Sequence, residues 1–339
     1  VRAIVVTQEV DPASPVLGAT VAKIRALAAC VDEVAVLADR AVTGALPPTC
    51  SVRLFASGTR IGRGLRFEAA LARELARGPR RTFVLAHMCP IYAVLAAPLA
   101  RPAGCRVLLW FTHWKASRLL AAAERLSSAV LTVEERTFPL PSGKVVPIGH
   151  GIDLAGFPCV ERPAHDGLRL LALGRTSPAK GLDTIVRAAA AVPGARLDVV
   201  GPSLTAEEEA HRSELERLVE ELGVGDRVSI SGGVPRDRVP DLLAGADALV
   251  NNMRAGATDK VVYEAAATCL PVLASNPALE GFLPVELRFD REDPKSLADR
   301  IRALERADRQ GVGRELRARV ERDHSVEGWA RRVVEVATR

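Results

Sequence analysis

Short apolar runs alternate with helix-patterned segments from one end of this chain to the other, and that alternation restricts the fold more than any other feature. Apolar runs fall at residues 3–6, 34–37, 52–55, 83–86, 107–111, 127–133 and 144–148, then at 168–173, 195–200, 227–231, 246–251 and 272–274. Between them apolar residues recur at helical spacing, as over 18–30, 67–77, 182–191, 207–222 and 239–244. Strands that alternate with helices form parallel, doubly wound sheets, because each crossover lays its helix on the sheet. At 339 residues the α/β chain is long enough for two such domains, each with its own core. A break is expected at Gly149-His150-Gly151-Ile152-Asp153, where two glycines suit a sharp turn between domains. Boundaries at 1–148 and 149–322 follow, with 323–339 as a terminal helical segment. His150 suits either a cleft or the turn itself.

Ligands of open α/β sheets bind outside the carboxyl ends of the strands. Two histidines fall there, His87 after the run at 83–86 and His113 after the run at 107–111. Either can be a hydrogen-bonded packing residue as readily as a site residue. In the second half, the strand at 168–173 opens into Gly174-Arg175-Thr176-Ser177-Pro178-Ala179-Lys180-Gly181 before a helix. A glycine, an Arg, a Lys and a helix start form a phosphate-binding arrangement in outline, although neither the Walker A nor the GxGxxG pattern is present. A third stretch, RAGATDKVVYEAAATCLPVLAS over 254–275, reads as loop, helix, turn and buried strand. Ala255-Gly256-Ala257 lacks bulk, and Thr258 or Asp259 can cap the helix so that its first N–H groups point into the loop. Lys260 and Glu264 share one helical face. Taken alone, such a pair is most often a solvated ion pair.

Composition sets further limits. No apolar run reaches the roughly 18 residues that a membrane-spanning helix needs. The opening VRAIVVTQEV enters a strand pattern directly, without the regions of a signal peptide, so a cytoplasmic location is expected. The six cysteines, Cys30, Cys50, Cys89, Cys105, Cys159 and Cys269, show no CxxC spacing, and reduced thiols are expected. No Asp-x-Asp sequence occurs that would offer a metal paired carboxylates, so neither metal nor cofactor is expected.

Residues 1–150 hold 19 Lys and Arg against 10 Asp and Glu, whereas the remainder holds 27 against 31. Arg60, Arg63, Arg66, Arg73, Arg77, Arg80 and Arg81 supply much of the first surplus. Such a face suits an anionic acceptor or the surface of an anionic membrane. A solvated arginine-rich face is the plainer alternative, because only six residues of the chain are lysine and arginine usage is high throughout.

The blocks GRTSPAKGLDTIVRA, LGVGDRVSISGGVPRDRVPDLLAGADALV and ATDKVVYEAAATCLPVLAS resemble, in that order, the donor-binding half of the family four retaining glycosyltransferases, also called group 1. The resemblance covers residues 145–275 closely and the first half more loosely. It implies a GT-B architecture, two Rossmann-like domains facing a central cleft with the final helix crossing back to the first. It further implies transfer of a sugar from a UDP- or GDP-sugar to a hydroxyl on a glycan, lipid-linked or small-molecule acceptor, with no nucleic-acid partner.

By that resemblance Arg175 and Lys180 bind the donor diphosphate beside Gly174, and Glu264 takes the ribose hydroxyls. His113 contacts the sugar near its reacting carbon, with His87 a second histidine of the site. Charge on the departing diphosphate would then rest on Arg175, Lys180 and the helix start at Ala257, Thr258 and Lys260. Two positions depart from the family pattern. Gly256 stands where a second acid is common, and Pro15-Val16-Leu17-Gly18 keeps one glycine, Gly18, of the expected diphosphate loop. A nucleotide-sugar epimerase or hydrolase on the same architecture, and a binding module without turnover, are the competing expectations.

Overall fold

The computed structural model describes residues 1–14, 17–78, 81–162, 167–253 and 256–339. Pro15 and Val16 of the first loop, Arg80, and Arg254 and Ala255 lie outside the described residues.

Two compact units divide the chain, one of Val1–Asp153 with Asp323–Arg339 and one of Leu154–Arg322. In the first, β1 (Arg2–Val10), β2 (Glu33–Ala41), β3 (Cys50–Leu54), β4 (Thr82–His87), β5 (Arg106–Trp110), β6 (Ala129–Thr132) and β7 (Val145–Pro147) alternate with α1 (Ala19–Ala28), α2 (Arg60–Ala76), α3 (Pro90–Ala100) and α4 (Arg118–Leu126). The sheet is parallel in the order β3-β2-β1-β4-β5-β6-β7. Its strand order reverses between β1 and β4, so the loops that leave those two strands border one crevice.

In the second unit, β8 (Leu168–Leu173), β9 (Ala195–Val200), β10 (Val228–Ser231), β11 (Ala248–Asn251) and β12 (Val272–Ala274) alternate with α5 (Leu182–Ala190), α6 (Ala206–Glu221), α7 (Val239–Gly245) and α8 (Lys260–Ala267). Helices α9 (Pro294–Glu305) and α10 (Arg309–Asp323) follow. This sheet is also parallel, in the order β10-β9-β8-β11-β12, and reverses between β8 and β11. The last helix, α11 (Val326–Thr338), belongs with the first unit. There Trp329 meets Trp110 edge to face at 5.5 Å, and the Lys23 ammonium of α1 lies 4.5 Å over the Trp110 ring. Both tryptophans are fully buried, and each contributes on the order of 1.5–3 kcal/mol or more through removal of apolar surface from water.

Three expectations need correction. Helix α2 starts at Arg60 rather than 67, capped by Thr59, whose side chain accepts from the Gly62 amide; Gly62 and Gly64 in its first turns had hidden the apolar period. Helix α3 was not foreseen, because PIYAVLAAPLA is apolar on every side and carries Pro98 within it. Its Tyr92 closes an aromatic cluster with Phe55 and Phe67 at 5.1 and 4.9 Å. The cysteines are not all reduced: Cys159 and Cys269 form a disulfide across 110 residues, with their Cα atoms 4.9 Å apart. Spacing along the chain cannot show a pair that only the fold brings together. The bond ties the segment entering the second unit to the turn after α8, while Cys30, Cys50, Cys89 and Cys105 remain thiols.

Candidate functional site at the carboxyl ends of the strands

At the reversal point of the second unit, backbone approach comes before side-chain chemistry. Gly174 leaves β8 at φ +144°, a conformation L side chains rarely adopt, and its amide bonds the Val200 carbonyl at 2.9 Å. A Cβ on Gly201, which follows β9, would lie 1.8 Å from the Gly174 carbonyl oxygen. Only glycine permits so close an approach of the two strand ends.

The loop beyond is tied down along its length. Thr176 Oγ1 lies 2.7 Å from Ser203 Oγ, and the Thr176 carbonyl lies 2.8 Å from His211 Nδ1. Pro178–Lys180 then forms a 3-10 turn capped by Ser177, and Gly181 in the left-handed region passes the chain into α5.

This path delivers two cations. Arg175 is half exposed, and its Nη1 donates to Glu208 Oε1 at 2.8 Å. Lys180 Nζ donates to Asp259 Oδ2 at 2.5 Å, and Asn251 Nδ2 donates to the same oxygen at 2.7 Å. Asp259 occupies the N-cap position of α8, but its side chain accepts none of the helix amides; the carboxylate is turned to Lys180 instead. Thr258, the other capping candidate, is buried, and its Oγ1 has no partner among the described residues. The Ala257 carbonyl accepts from Asn276 Nδ2 at 2.8 Å.

Glu264 and Lys260 lie on one face of α8 as their spacing requires, 3.1 Å apart, but the pair is not solvated. Glu264 is 2% exposed, and its carboxylate also takes Arg236, with Nη1 to Oε2 at 2.9 Å and Nη2 to Oε1. Burial by itself would push the Glu264 carboxyl up; Lys260 and Arg236 outweigh it and hold it below the usual carboxylate range. Burial lowers the Lys260 ammonium, Glu264 works against that, and the nearby Arg236 adds to it, so the net direction is downward.

Sequence reasoning missed two members of this arrangement. Arg236 sits in the 3-10 turn Arg236–Arg238 and meets Glu264 only through the fold. Glu208 lies among the many charged residues of α6, where nothing in composition sets it apart. The spacing Thr205-x-x-Glu208 was the available signal, since it marks a capped helix start, and Glu208 also accepts the Leu204 amide at 2.7 Å.

The remaining candidates belong to the first unit. Gly18 closes the loop after β1, where a Cβ would come within 2.7 Å of the Ser14 carbonyl oxygen. His87 ends β4, is buried, and has no partner for either ring nitrogen among the described residues. Burial, then the charge of Lys23, pushes its pKa well below the ordinary imidazole value, so the ring is neutral at physiological pH. His113 lies beyond β5 and is exposed. Its Nδ1 accepts the Lys115 amide at 3.1 Å, and the ring stacks on Trp114. A neutral His113 so held carries its proton on Nε2. His150 is buried in the Gly149–Gly151 turn, where its backbone amide donates to His324 Nδ1 at 3.2 Å.

Gly256, the position where the family pattern has an acid, is exposed, and a Cβ there meets no atom of the described residues within 4 Å. Gly256→Glu should therefore leave folding unchanged to within about 0.5 kcal/mol, as for a surface substitution. Thermal melts would check this, and a loss of several degrees would show that the loop cannot take a side chain.

Residues 160–322 match the model of the family Glycosyl transferases group 1. D-inositol 3-phosphate glycosyltransferase 1 of Catenulispora acidiphila is 30% identical over 215 residues, 56% of this chain and 50% of that protein. The D-inositol 3-phosphate glycosyltransferase of Mycobacteroides abscessus is 34% identical over 120 residues, 35% of this chain and 26% of its own. The chain thus spans half or less of the length of these curated relatives. Among solved structures, sucrose-phosphate synthase of Thermosynechococcus elongatus superposes with a TM-score of 0.79 at 20% identity, covering 99% of this chain and 98% of that one. Anabaena HepE in complex with UDP and glucose gives 0.77 at 17%, covering 99% of both. At these identities the structural likeness speaks for the fold, and the family model speaks for the sequence. The chain has the GT-B fold, and within it residues 160–322 match the Glycosyl transferases group 1 family model.

Proposed function

We propose that this protein transfers a sugar from a nucleotide-diphosphate sugar to an acceptor hydroxyl, with retention at the anomeric carbon and without a metal. The observation that carries the reading is the convergence, at the β8/β11 reversal, of Arg175 and Lys180 from one loop with the buried acid Glu264 on the helix after the other. Two cations suit a diphosphate, and a fixed carboxylate suits a vicinal diol. In the reaction the bond from the anomeric carbon to the β-phosphate oxygen breaks while the acceptor oxygen bonds on the same face. The acceptor proton passes to the departing phosphate. Arg175, Lys180 and the first-turn amides of α8 stabilise the charge that grows on that phosphate. His113, with Nε2–H as donor, would position the sugar, with His87, Gly18, Gly174, Gly256, Ala257 and Thr258 as further donor-site residues.

The UDP complexes of HepE support a uridine donor ahead of a guanosine one. The names of the curated relatives support a hydroxyl-rich acceptor. No helix among the described residues is long and apolar enough to cross a membrane. The outer face of α2 nevertheless exposes Ile61 and Leu65 beside Arg66 and Arg73, which supports peripheral contact with an anionic membrane at its cytoplasmic side.

The test is incubation with UDP- and GDP-sugars, with and without hydroxyl acceptors. A ligand at 100 times its Kd stabilises by about 2.7 kcal/mol, so a thermal shift identifies the donor first. Transfer with retained anomeric configuration is expected. Release of an epimerised free sugar without acceptor would move the assignment to an epimerase, and binding with no turnover at all to a binding module.

A further inference from the structure

We infer that Arg236 is the positioning residue of the ribose-reading acid, an inference that rests on the reading of Glu264 given above. Arg236 leaves a loop that follows β10, at the far edge of the sheet, yet it reaches a helix that follows β11. The loop must pass the carboxyl ends of β9 and β8 to do so, which places it along the same edge as Gly174 and Asp259. Pro235 precedes the turn and fixes its own φ, and the Arg236 guanidinium lies 5.0 Å over the buried ring of Phe157. The arginine is thus anchored before it meets the acid.

Its contact is a two-pronged one, Nη1 on Oε2 and Nη2 on Oε1. A planar fork of this kind sets both the plane and the rotation of a carboxylate, which a point charge does not. A carboxylate offers about four lone-pair sites. Arg236 occupies one on each oxygen, and Lys260 takes a second on Oε1. The remaining site is on Oε2. A ligand hydroxyl meets that oxygen directly, while a second hydroxyl must share Oε1 with Lys260, whose ammonium sits on a flexible stem and can turn aside. Arg236 holds the carboxylate for recognition, and Lys260 is the partner that yields.

Because Arg236→Ala leaves Glu264 paired with Lys260, it strands no buried acid, and the fold should survive. The experiment compares UDP with 2′,3′-dideoxy-UDP, and GDP with its dideoxy form, by calorimetric titration of the full chain, its R236K and its R236A variants. The unchanged protein should prefer the ribonucleotide by about tenfold or more, as two charge-assisted hydrogen bonds warrant. R236A should lose that preference to within about twofold while binding the dideoxy nucleotide as before. R236K, which keeps the charge but not the fork, should lose most of it too. A merely structural role would weaken both nucleotides together, and that result overturns the inference, as does a preference retained in R236A and R236K. If the unchanged protein binds the nucleotides but ignores the ribose hydroxyls, the reading of Glu264 falls and this inference with it. If it binds no nucleoside diphosphate at all, the proposed function itself is overturned.

Discussion

Arg175→Ala combined with Lys180→Ala is expected to weaken UDP binding by about 10²–10⁴-fold and to abolish sugar transfer. Each hydrogen bond to a charged phosphate oxygen is worth about 1.5–3 kcal/mol, so two give about 3–6 kcal/mol, and each 1.4 kcal/mol is tenfold. Both cations are already engaged, Arg175 with Glu208 and Lys180 with Asp259. A diphosphate therefore exchanges with carboxylates rather than with water, and the net gain depends on how readily they let go. The two pairs differ in this respect. Arg175 is half exposed, so screening keeps its pair weak and the side chain free to turn. Lys180 and Asp259 are both largely shielded, and Asn251 holds the same Asp259 oxygen, so this pair resists exchange more strongly. Asp259→Asn should accordingly tighten UDP binding about two- to tenfold by removing the competitor, the opposite sign from Lys180→Ala. Calorimetric titration reads both, with circular dichroism to confirm folding. If the double variant bound and turned over a nucleotide sugar normally, the diphosphate would have to sit elsewhere.

The alternation of apolar runs with helices was enough to foresee two parallel sheets, and where both periods were clean the boundaries agree closely, as for β8 at Leu168–Leu173 and α5 at Leu182–Ala190. What periodicity could not show was an element without a polar side: α3 buries one face, Tyr92, Ala93, Ala96, Ala97 and Ala100, but its other face is apolar too, so the sequence has no polar period to read. The candidate site divides in the same manner. Lys260 and Glu264 are neighbours by helical spacing, and the sequence alone pairs them. Arg236, 28 residues from Glu264, and Cys159, 110 from Cys269, are joined only by strand order, which sequence pattern does not encode. Burial was the other hidden variable. The Lys260–Glu264 spacing is indifferent to solvent, yet the structure places the acid in the interior with a second cation on it, which changes a weak surface pair into a cluster whose members depend on one another.

That dependence makes Glu264→Ala the substitution with the largest expected cost to stability. It removes the acid between Arg236 and Lys260 and leaves two cations facing each other, both largely shielded from solvent. Breaking a buried pair by removal of one partner costs about 3–5 kcal/mol. For a unit of this size 1 kcal/mol moves Tm by about 2–4 °C, so a fall of about 6–20 °C is expected.

The pH dependence carries an independent signature. In the unaltered protein Glu264 is held below its ordinary pKa, so its contribution is complete above about pH 4.3, the unfolded value, and is lost only as pH falls through the lower folded value. The Tm gap between the two proteins should therefore be nearly constant from pH 5 to pH 7. In Glu264→Ala the carboxylate that kept Lys260 protonated is gone, and burial and Arg236 lower its pKa further. The unfolded chain then binds more protons than the folded one over a wider pH range than in the unaltered protein, where Lys260 is already lowered, so the variant should gain more stability than the unaltered protein as pH rises from about 7 towards 10. Lys260→Met added to Glu264→Leu should recover most of the Tm by replacing the buried charges with apolar volume, but not the preference for a ribonucleotide. Melts of the three proteins across pH, with titration of UDP against its dideoxy form, separate what Glu264 does for the fold from what it does for the ligand. A Tm change of less than about 2 °C in Glu264→Ala would mean that Arg236 and Lys260 find other partners, and that the acid is not what holds this cluster together.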